Sequence, residues 1–193
     1  GAGVNLKYYT YQKYPENDKV HFLYLGRIMK EKGMDELFYA AKELQRKEVP
    51  FVLDLVGFFE DEYKEKIDKL VDAKIAVFHG FQEDPRPYYA MADCVVLPSY
   101  HEGMSNVLLE AAATGRPVIT SNIPGCKEAV DDGKSGLLCE AEDWNDLYRK
   151  MSKIAQMSRI EREAMGVCGR DKMAREFDKD KVVKKTIQGI ERV

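Results

Sequence analysis

The stretch Pro98–Gly115, PSYHEGMSNVLLEAAATG, is the segment that decides the fold of this chain. It overlaps the end of the apolar run DCVVLP, which is typical of a buried strand, and it continues into a helical pattern. Glu102 lies where the strand ends, and Glu110 lies inside the helix, eight positions later. At a rise of about 1.5 Å per residue, the two carboxylates lie about 8–12 Å apart along the chain direction.

The start of this helix, at Gly103–Asn106, lies between the two glutamates. The first N–H groups of a helix lack intrahelical partners and its peptide dipoles align there, so a helix start binds anions. The segment therefore offers a hydrogen-bond acceptor, a phosphate site and a second acceptor. A nucleotide-diphospho-sugar presents sugar hydroxyls, diphosphate and ribose hydroxyls in the matching order. Taken alone, the pattern also fits a strand–loop–helix unit whose glutamates face solvent.

Length and composition are those of an ordinary globular protein. The chain has 193 residues, 45% of them hydrophobic and 33% charged, with a formal net charge of −3, which suits one domain or one domain plus an appendage. Basic residues form no stripe, so we expect no nucleic-acid partner. No apolar run approaches the ~20 residues of a membrane span. Cysteines without paired or zinc-like spacing favour reduced thiols in a cytoplasmic protein, and they are Cys94, Cys126, Cys139 and Cys168.

Six short apolar runs alternate with helical patterns along most of the chain. The runs lie at residues 20–26, 51–57, 74–80, 93–98, 116–121 and 135–140. This alternation predicts an α/β fold, a Rossmann-like doubly wound parallel sheet of about six strands with helices on both faces. From Asp143 to Val193 the pattern stays helical, which predicts a helical C-terminal tail with a break at Gly166 and Gly169.

Four unusual loops follow predicted strands, and they lie at residues 26–33, 57–59, 80–84 and 98–105. In open α/β sheets, ligands bind outside the carboxyl ends of the strands. All four loops should therefore meet at the edge of the sheet where Glu102 lies. This convergence favours a binding site over solvent-facing glutamates.

The first of these loops, GRIMKEKG, is rich in basic residues. A diphosphate leaving group needs a metal or fixed cations to neutralise its charge. Arg27 supplies a planar set of donors and Lys32 a point charge, whereas Lys30, in the middle of the loop, is expected to face water. Gly26 and Gly33 permit a sharp turn and a close approach of the backbone to a ligand. A solvated basic turn is the alternative.

Other motifs in the sequence resemble known metal-binding or nucleotide-binding motifs but do not match them. Asp178-Lys179-Asp180 could hold a divalent ion, but it lies in the helical tail, where a solvated helix start is the better interpretation. Gly133–Ser135 lacks the upstream glycine of a phosphate loop, and no GxGxxG occurs. We therefore expect no metal and no cofactor besides a nucleotide-sugar co-substrate.

Four segments together resemble a known family: GRIMKEKG, HGF before a short helix, ADCVVLPSYHEG, and EGMSNVLLEAAATGRPVITSNIPGCKEAVDDGKSGLL. They resemble the C-terminal, donor-binding half of family-4 (group 1) retaining glycosyltransferases of the GT-B fold. The spacing of Glu102 and Glu110 matches the E-x7-E pair of that family. The similarity is dense from Val20 to Leu138, and the last segment looks most like the capsule and exopolysaccharide branch.

The resemblance implies roles for residues near the transferred sugar and the diphosphate. Arg27 and Lys32 would hold the diphosphate, beside Gly26, and Glu102 would meet sugar hydroxyls. These three side chains, Glu102, Arg27 and Lys32, are the candidate catalytic residues. Further contacts to sugar and phosphate would come from the helix start, at Gly103, Met104, Ser105, Asn106 and Val107.

The resemblance also implies contacts to the nucleoside. Glu110 would accept hydrogen bonds from the ribose hydroxyls, while Phe81 and Gln82 would flank the base, mostly through the main chain. Many members of the family have a second glycine soon after the one that ends the second strand. Here Gly57 is followed by Phe58 and Phe59, so the rim of the pocket near the base should differ.

The domain organisation follows from the same resemblance. Residues 1–19 are an interdomain lead-in, residues 20–158 a Rossmann-like nucleotide-sugar-binding domain and residues 159–193 a helical tail. An N-terminal acceptor-binding domain is expected in the complete protein and absent from this chain. Membrane contact, at the inner face of a membrane, would come only through the full-length protein.

The predicted function is metal-independent, retaining transfer of a hexosyl unit from a nucleotide-sugar, with UDP-sugar expected, to a polysaccharide or lipid-linked saccharide. The isolated domain is expected to be inactive. Two alternatives remain open: a domain like that of non-hydrolysing nucleotide-sugar epimerases, and a non-catalytic flavodoxin-like nucleotide-binding module. The first needs acid and base residues that the sequence does not identify, and the second leaves the Arg27 and Lys32 loop unexplained.

Overall fold

A computed structural model describes residues 2–190 of the chain, with side chains up to residue 184. Within these residues, six parallel strands form one sheet in the order β3-β2-β1-β4-β5-β6. The strands are β1 Val20–Leu25, β2 Phe51–Val56, β3 Ala76–Gly80, β4 Cys94–Leu97, β5 Val118–Ser121 and β6 Gly136–Cys139. The predicted doubly wound parallel sheet is confirmed, and each predicted run contains one strand.

Seven α-helices connect and cover the strands of the described chain. They are α1 Met34–Arg46, α2 Lys64–Asp72, α3 Arg86–Met91, α4 Asn106–Thr114, α5 Trp144–Gln156, α6 Arg159–Lys172 and α7 Lys179–Ile190. Helix α1 packs against α5, while α4 packs against α3 and α6. The core between the helices and the sheet is apolar because β2, β4 and β5 are almost continuously buried, as strands covered on both faces must be, whereas the edge strand β3 is only partly buried.

The apolar face of each helix explains its position. Helix α1 buries Leu37, Ala41 and Leu44 at the spacing of one helical face. Helix α4 differs, because it is buried nearly all round and carries small residues, Ala111–Ala113, against its neighbours. None of the described helices has the length and apolar character that crossing a membrane requires.

The predicted break at Gly166 and Gly169 is wrong. Helix α6 continues through both glycines. The helical tail is interrupted instead at Met157–Ser158, where Ser158 caps α6 in a capping box with Glu161, and again at Asp178, between a π-helical turn at Met173–Phe177 and α7. A Cβ on Gly166 would lie 2.0 Å from the carbonyl oxygen of Gly115. This glycine therefore allows α6 to approach the end of α4 closely, and it does not end the helix.

Two other interpretations of the sequence are confirmed. Residues Gly133–Ser135 form a turn, and Asp178 lies at the start of α7, where its side chain accepts a hydrogen bond from the Asp180 N–H at 3.1 Å. Lys30 is exposed, as expected.

Candidate functional site

Glycines hold the loops at the carboxyl edge of the sheet in direct backbone contact. A Cβ on Gly33 would lie 2.0 Å from the Pro98 carbonyl oxygen, and one on Gly57 would lie 1.9 Å from that of Gly26. Both glycines also have positive φ, a conformation that L side chains rarely adopt. The loops after β1, β2 and β4 therefore form one packed surface. The sequence predicted that these loops would meet at this edge of the sheet.

Glu102 contacts the basic loop directly. Lys32 Nζ lies 2.6 Å from Glu102 Oε1, and Ser99 Oγ donates to the same oxygen at 2.8 Å. The side chains are 27% exposed for Lys32 and 14% for Glu102. The Tyr100 N–H also donates to the Glu31 carbonyl at 2.9 Å. The structure thus fixes Lys32 and Glu102 as a half-buried pair between two loops.

Arg27 lies elsewhere on this surface. It is exposed, and no described side chain pairs with its guanidinium. Its carbonyl accepts a hydrogen bond from the Tyr24 hydroxyl at 2.5 Å, which holds the turn after β1. Gly26 and Arg27 line a pocket of about 170 Å³ together with Phe81 and Gln82. Arg27 is therefore grouped with the predicted base-binding residues, whereas Lys32 is grouped with Glu102.

The pocket beside Arg27 has an aromatic wall that the sequence analysis did not assign. Phe58 and Phe81 stack in parallel, with ring centroids 4.6 Å apart and an angle of 6° between the planes. Both rings are largely exposed, at 63% and 58%. Gln82 donates to the His79 carbonyl at 2.8 Å and so holds the loop. The two phenylalanines that follow Gly57 were the signal in the sequence, but the stacking of Phe58 on Phe81 was not evident.

The start of α4 faces the same edge. Ser105 is the N-cap, and its side chain makes no capping hydrogen bond. The Ser105 N–H donates to the Gly125 carbonyl at 3.1 Å, and a Cβ on Gly125 would lie 1.6 Å from the Gly103 carbonyl oxygen. The loop after β5 thus supports the loop that contains Gly103. Gly103 and Asn106 are exposed, whereas Met104 and Val107 pack against the core.

Glu110 has a different environment from Glu102. The Tyr89 hydroxyl donates to Glu110 Oε2 at 2.8 Å, and the ring of Tyr9 contacts that of Tyr89. Burial raises the pKa of the Glu110 carboxyl, and the hydroxyls of Tyr89 and Tyr9 oppose that shift. A pocket of about 180 Å³ lies beside the carboxylate, lined among others by Asn5, Tyr9, Asn106 and Lys179. Asn106 and Glu110 therefore face one cavity, one helical turn apart.

The tyrosines at Glu110 are functional candidates that the sequence analysis missed. Tyr89 lies 21 positions before Glu110, and Tyr9 lies 101 positions before it, in the lead-in. No local motif connects residues so far apart in the chain. As for metals, the described residues contain no group of three His, Cys, Asp or Glu side chains that could hold an ion.

Comparison with known proteins agrees with this geometry. The family model described as Glycosyl transferases group 1 matches residues 19–157. The chain belongs to this family. It is also 31% identical, over 166 residues, to the capsular polysaccharide biosynthesis glycosyltransferase CapM of Staphylococcus aureus. That match covers 83% of this chain but 43% of CapM, so the chain spans less than half of this curated relative.

Solved structures with the same fold include a domain of a group 1 glycosyltransferase. The C-terminal domain of the group 1 protein LpcC from Francisella tularensis superposes with a TM-score of 0.77 at 23% identity, covering 92% of this chain and 100% of that domain. Anabaena HepE in complex with UDP-glucose gives a TM-score of 0.82 at 18% identity, covering 99% of this chain and 56% of HepE. The chain is therefore a GT-B C-terminal domain, which removes the flavodoxin-like alternative.

Proposed function

We propose that this chain is the donor-binding domain of a retaining glycosyltransferase that transfers a hexosyl unit from a nucleotide-sugar. The observation that carries the proposal is the contact between Lys32 and Glu102 at the start of α4, at 2.6 Å. It joins a cation and a hydroxyl acceptor beside the free amides of a helix start. A sugar diphosphate needs these groups together.

In this proposal, fixed cations stabilise the departing diphosphate. Lys32, Arg27 and the amides of Gly103, Met104 and Asn106 supply positive charge where negative charge develops, which is usually the largest catalytic term. The Lys32 ammonium has three donors, so it can hold Glu102 and a phosphate oxygen at once. Glu102 then accepts from the hydroxyls of the transferred sugar. No metal has a step in this mechanism.

The nucleoside extends from the diphosphate towards two other groups. Glu110 accepts the ribose hydroxyls in the cavity that it shares with Asn106. The base stacks on the exposed Phe58–Phe81 pair beside Gln82, because aromatic faces pack well on flat rings. A UDP-sugar is the expected donor, and the support for it is the fold shared with HepE, whose structures hold UDP and UDP-glucose.

The acceptor and the cellular context are proposed from the relatives. The name of CapM places that protein in capsular polysaccharide biosynthesis, so a polysaccharide or lipid-linked saccharide is the proposed acceptor. A second domain, outside residues 1–193, would hold it. The complete enzyme would work in the cytoplasm, in contact with the inner membrane face only through parts outside this chain.

A ligand screen tests the proposal. The 193-residue chain should be stabilised against thermal unfolding by UDP-sugars more than by guanosine or adenosine diphosphate sugars, because binding to the folded state alone raises Tm. Arg27→Ala should reduce the shift, whereas Lys30→Ala, in the same loop, should leave it unchanged. The isolated chain should transfer no sugar. Stabilisation by none of the nucleotide-sugars, or transfer by the chain above a Glu102→Ala control, would refute this account.

A further inference from the structure

Two tyrosine hydroxyls converge on the carboxylate of Glu110 from different parts of the chain. Tyr89 comes from α3, is fully buried and donates to Oε2 at 2.8 Å. Tyr9 comes from the lead-in before β1, is half-buried and lines the cavity beside the carboxylate. The rings of the two tyrosines also contact each other, with centroids 6.2 Å apart and an angle of 74°. The carboxylate is thus oriented by neutral donors that are themselves packed in place.

The use of neutral donors leaves acceptor capacity on the carboxylate. An ionised carboxylate has two oxygens and about four lone-pair sites. The Tyr89 hydroxyl occupies one of these sites, and a hydroxyl donated by the neighbouring Tyr9 would occupy a second, which leaves about two for a pair of hydroxyl groups. Among the described side chains, no Lys, Arg or His forms an ion pair with Glu110 that would compete for them. The free sites match the two adjacent hydroxyls of a ribose.

We propose that Tyr89 and Tyr9 are positioning residues that aim the Glu110 carboxylate at the 2′- and 3′-hydroxyls of the donor ribose. This inference rests on the proposed function, because it takes Glu110 as the ribose acceptor. It goes further in assigning two residues that no sequence motif contains. It also gives the N-terminal lead-in, through Tyr9, a part in donor recognition.

The protonation states around Glu110 agree with this role. Burial raises the pKa of the Tyr89 and Tyr9 hydroxyls, so both stay protonated donors. Burial raises the pKa of Glu110 as well, and the hydroxyls oppose that shift. The remaining charged groups near this cluster are Lys179, which lines the same cavity, and Asp84, which acts on Tyr9. Removal of a tyrosine hydroxyl should therefore raise the pKa of Glu110 further.

The first experiment measures the carboxyl group itself. The ¹³C signal of the Glu110 carboxyl, followed from pH 3 to 9 in the free chain, should titrate above the ordinary range of glutamate. Its midpoint should move to higher pH in Tyr89→Phe and in Tyr9→Phe. The matched control is Tyr100→Phe, which removes another hydroxyl that donates to a carboxylate, that of Glu36 at 2.7 Å, and should leave the midpoint unchanged. An unchanged midpoint in both Phe variants at Tyr89 and Tyr9 overturns the inference.

The second experiment measures recognition of the ribose. The probes are UDP-glucose and its 2′-deoxyuridine counterpart, whose diphosphate diesters do not titrate between pH 5 and 8. The wild-type chain should prefer UDP-glucose, and Tyr89→Phe should weaken UDP-glucose binding by about 2- to 10-fold, as loss of one hydrogen bond does. Binding of the deoxy analogue should change less, so that the preference shrinks.

The outcomes separate this inference from the function on which it rests. If the wild type binds UDP-glucose but Tyr89→Phe and Tyr9→Phe keep the full preference for the ribose, the positioning role is refuted and the donor site stands. If the wild type binds no UDP-glucose at any pH, the proposed donor and the ribose assignment both fail. Should Tyr89→Phe not fold, Tyr9→Phe gives the same comparison at a half-buried position.

Discussion

The two glutamates of the E-x7-E pair have opposite surroundings at the two ends of one segment. Glu102 contacts the ammonium of Lys32 at 2.6 Å and lies in a loop held by glycines. Glu110 contacts tyrosine hydroxyls, and burial raises its pKa. The same type of side chain therefore has two different electrostatic environments. In the proposed function, the cation beside Glu102 serves a site where charge would develop, whereas the neutral donors beside Glu110 serve a site where hydroxyl groups would bind without a change of charge.

The largest effect is expected at the Glu102 end, from the loss of its cations. In the full-length enzyme, Arg27→Ala and Lys32→Ala should each reduce the stabilisation of the transition state by about 2–4 kcal/mol, as calculated from kcat/KM. The double variant should lose less than the sum, because both cations serve one diphosphate. Steady-state kinetics would measure this, with Lys30→Ala as the control in the same loop. Full additivity would show that Arg27 and Lys32 act on different groups, as their separate positions in the free chain allow.

The comparison between the two glutamates can be tested directly with their amides. Glu102→Gln should mainly lower kcat, because it adjoins the reacting sugar. Glu110→Gln should mainly raise KM, by about 10-fold or more, because a ribose contact is the same in the ground and transition states. Equal changes in the same kinetic constant for both variants would contradict the division of roles.

A backbone change should disturb the Glu102 end while leaving the Glu110 end intact. Gly125→Ala places a Cβ 1.6 Å from the Gly103 carbonyl oxygen at a φ of 86°, so we expect a loss of about 2 kcal/mol or more in the free energy of unfolding. Gly133→Ala is the matched control, since its φ is 76° and no atom lies within 4 Å of the new Cβ. It should cost about 1–2 kcal/mol. Chemical denaturation of both variants would measure the difference, and equal losses would show that the contact with Gly103 is not critical.

A smaller effect, on the stability of the free domain, should distinguish Glu110 from Glu102. The raised pKa of Glu110 means that the folded chain holds this proton more tightly than the unfolded chain. The resulting stability is present below the unfolded pKa and is lost as pH rises through the folded pKa. At pH 7, Glu110→Gln should therefore raise the free energy of unfolding, by no more than about 1 kcal/mol, or about 2–4 °C in Tm.

Thermal unfolding between pH 3.5 and 8 would test this expectation. The gain from Glu110→Gln should disappear at the acidic end, where the wild-type carboxyl is also neutral. Glu102→Gln is the comparison variant and should give no gain at pH 7, because it removes the partner of Lys32. A loss of stability in Glu110→Gln at pH 7 would argue against burial as the dominant influence on this carboxyl.

The smallest expected effect is that of chelation. Turnover of the full-length enzyme should be unchanged in EDTA, because Arg27 and Lys32 provide the charge that a metal would otherwise supply. Kinetics with and without EDTA, followed by addition of Mg²⁺ or Mn²⁺, would measure it. Activity that is lost in EDTA and restored by either ion would contradict the role of the two cations.

Much of the fold was predictable because it depends on local pattern. Short, nearly continuous apolar runs that alternate with helical periodicity indicate parallel strands with helical crossovers, and all six strands were placed correctly. The break in the tail was predicted wrongly at Gly166 and Gly169. A glycine that ends a helix and a glycine that allows two helices to approach look alike in sequence.

The candidate site was predictable only for residues that lie in a recognisable sequence motif. Lys32 and Glu102 each lie in a recognisable segment after a strand, and the rule for parallel sheets places both at one edge. Their direct contact was not predicted, and neither was the position of Arg27 in one pocket with Phe81 and Gln82. The stacking of Phe58 on Phe81 also depends on the relative position of two loops, which periodicity does not encode.

By itself, the sequence determined the α/β architecture, the family and the edge of the sheet at which the loops with the candidate residues meet. These properties follow from the order and spacing of residues along short segments. Only the tertiary structure decided that Glu102 meets a cation and that Glu110 meets Tyr89 and Tyr9. The surroundings of a carboxylate depend on side chains from distant parts of the chain, and burial then sets how readily it ionises.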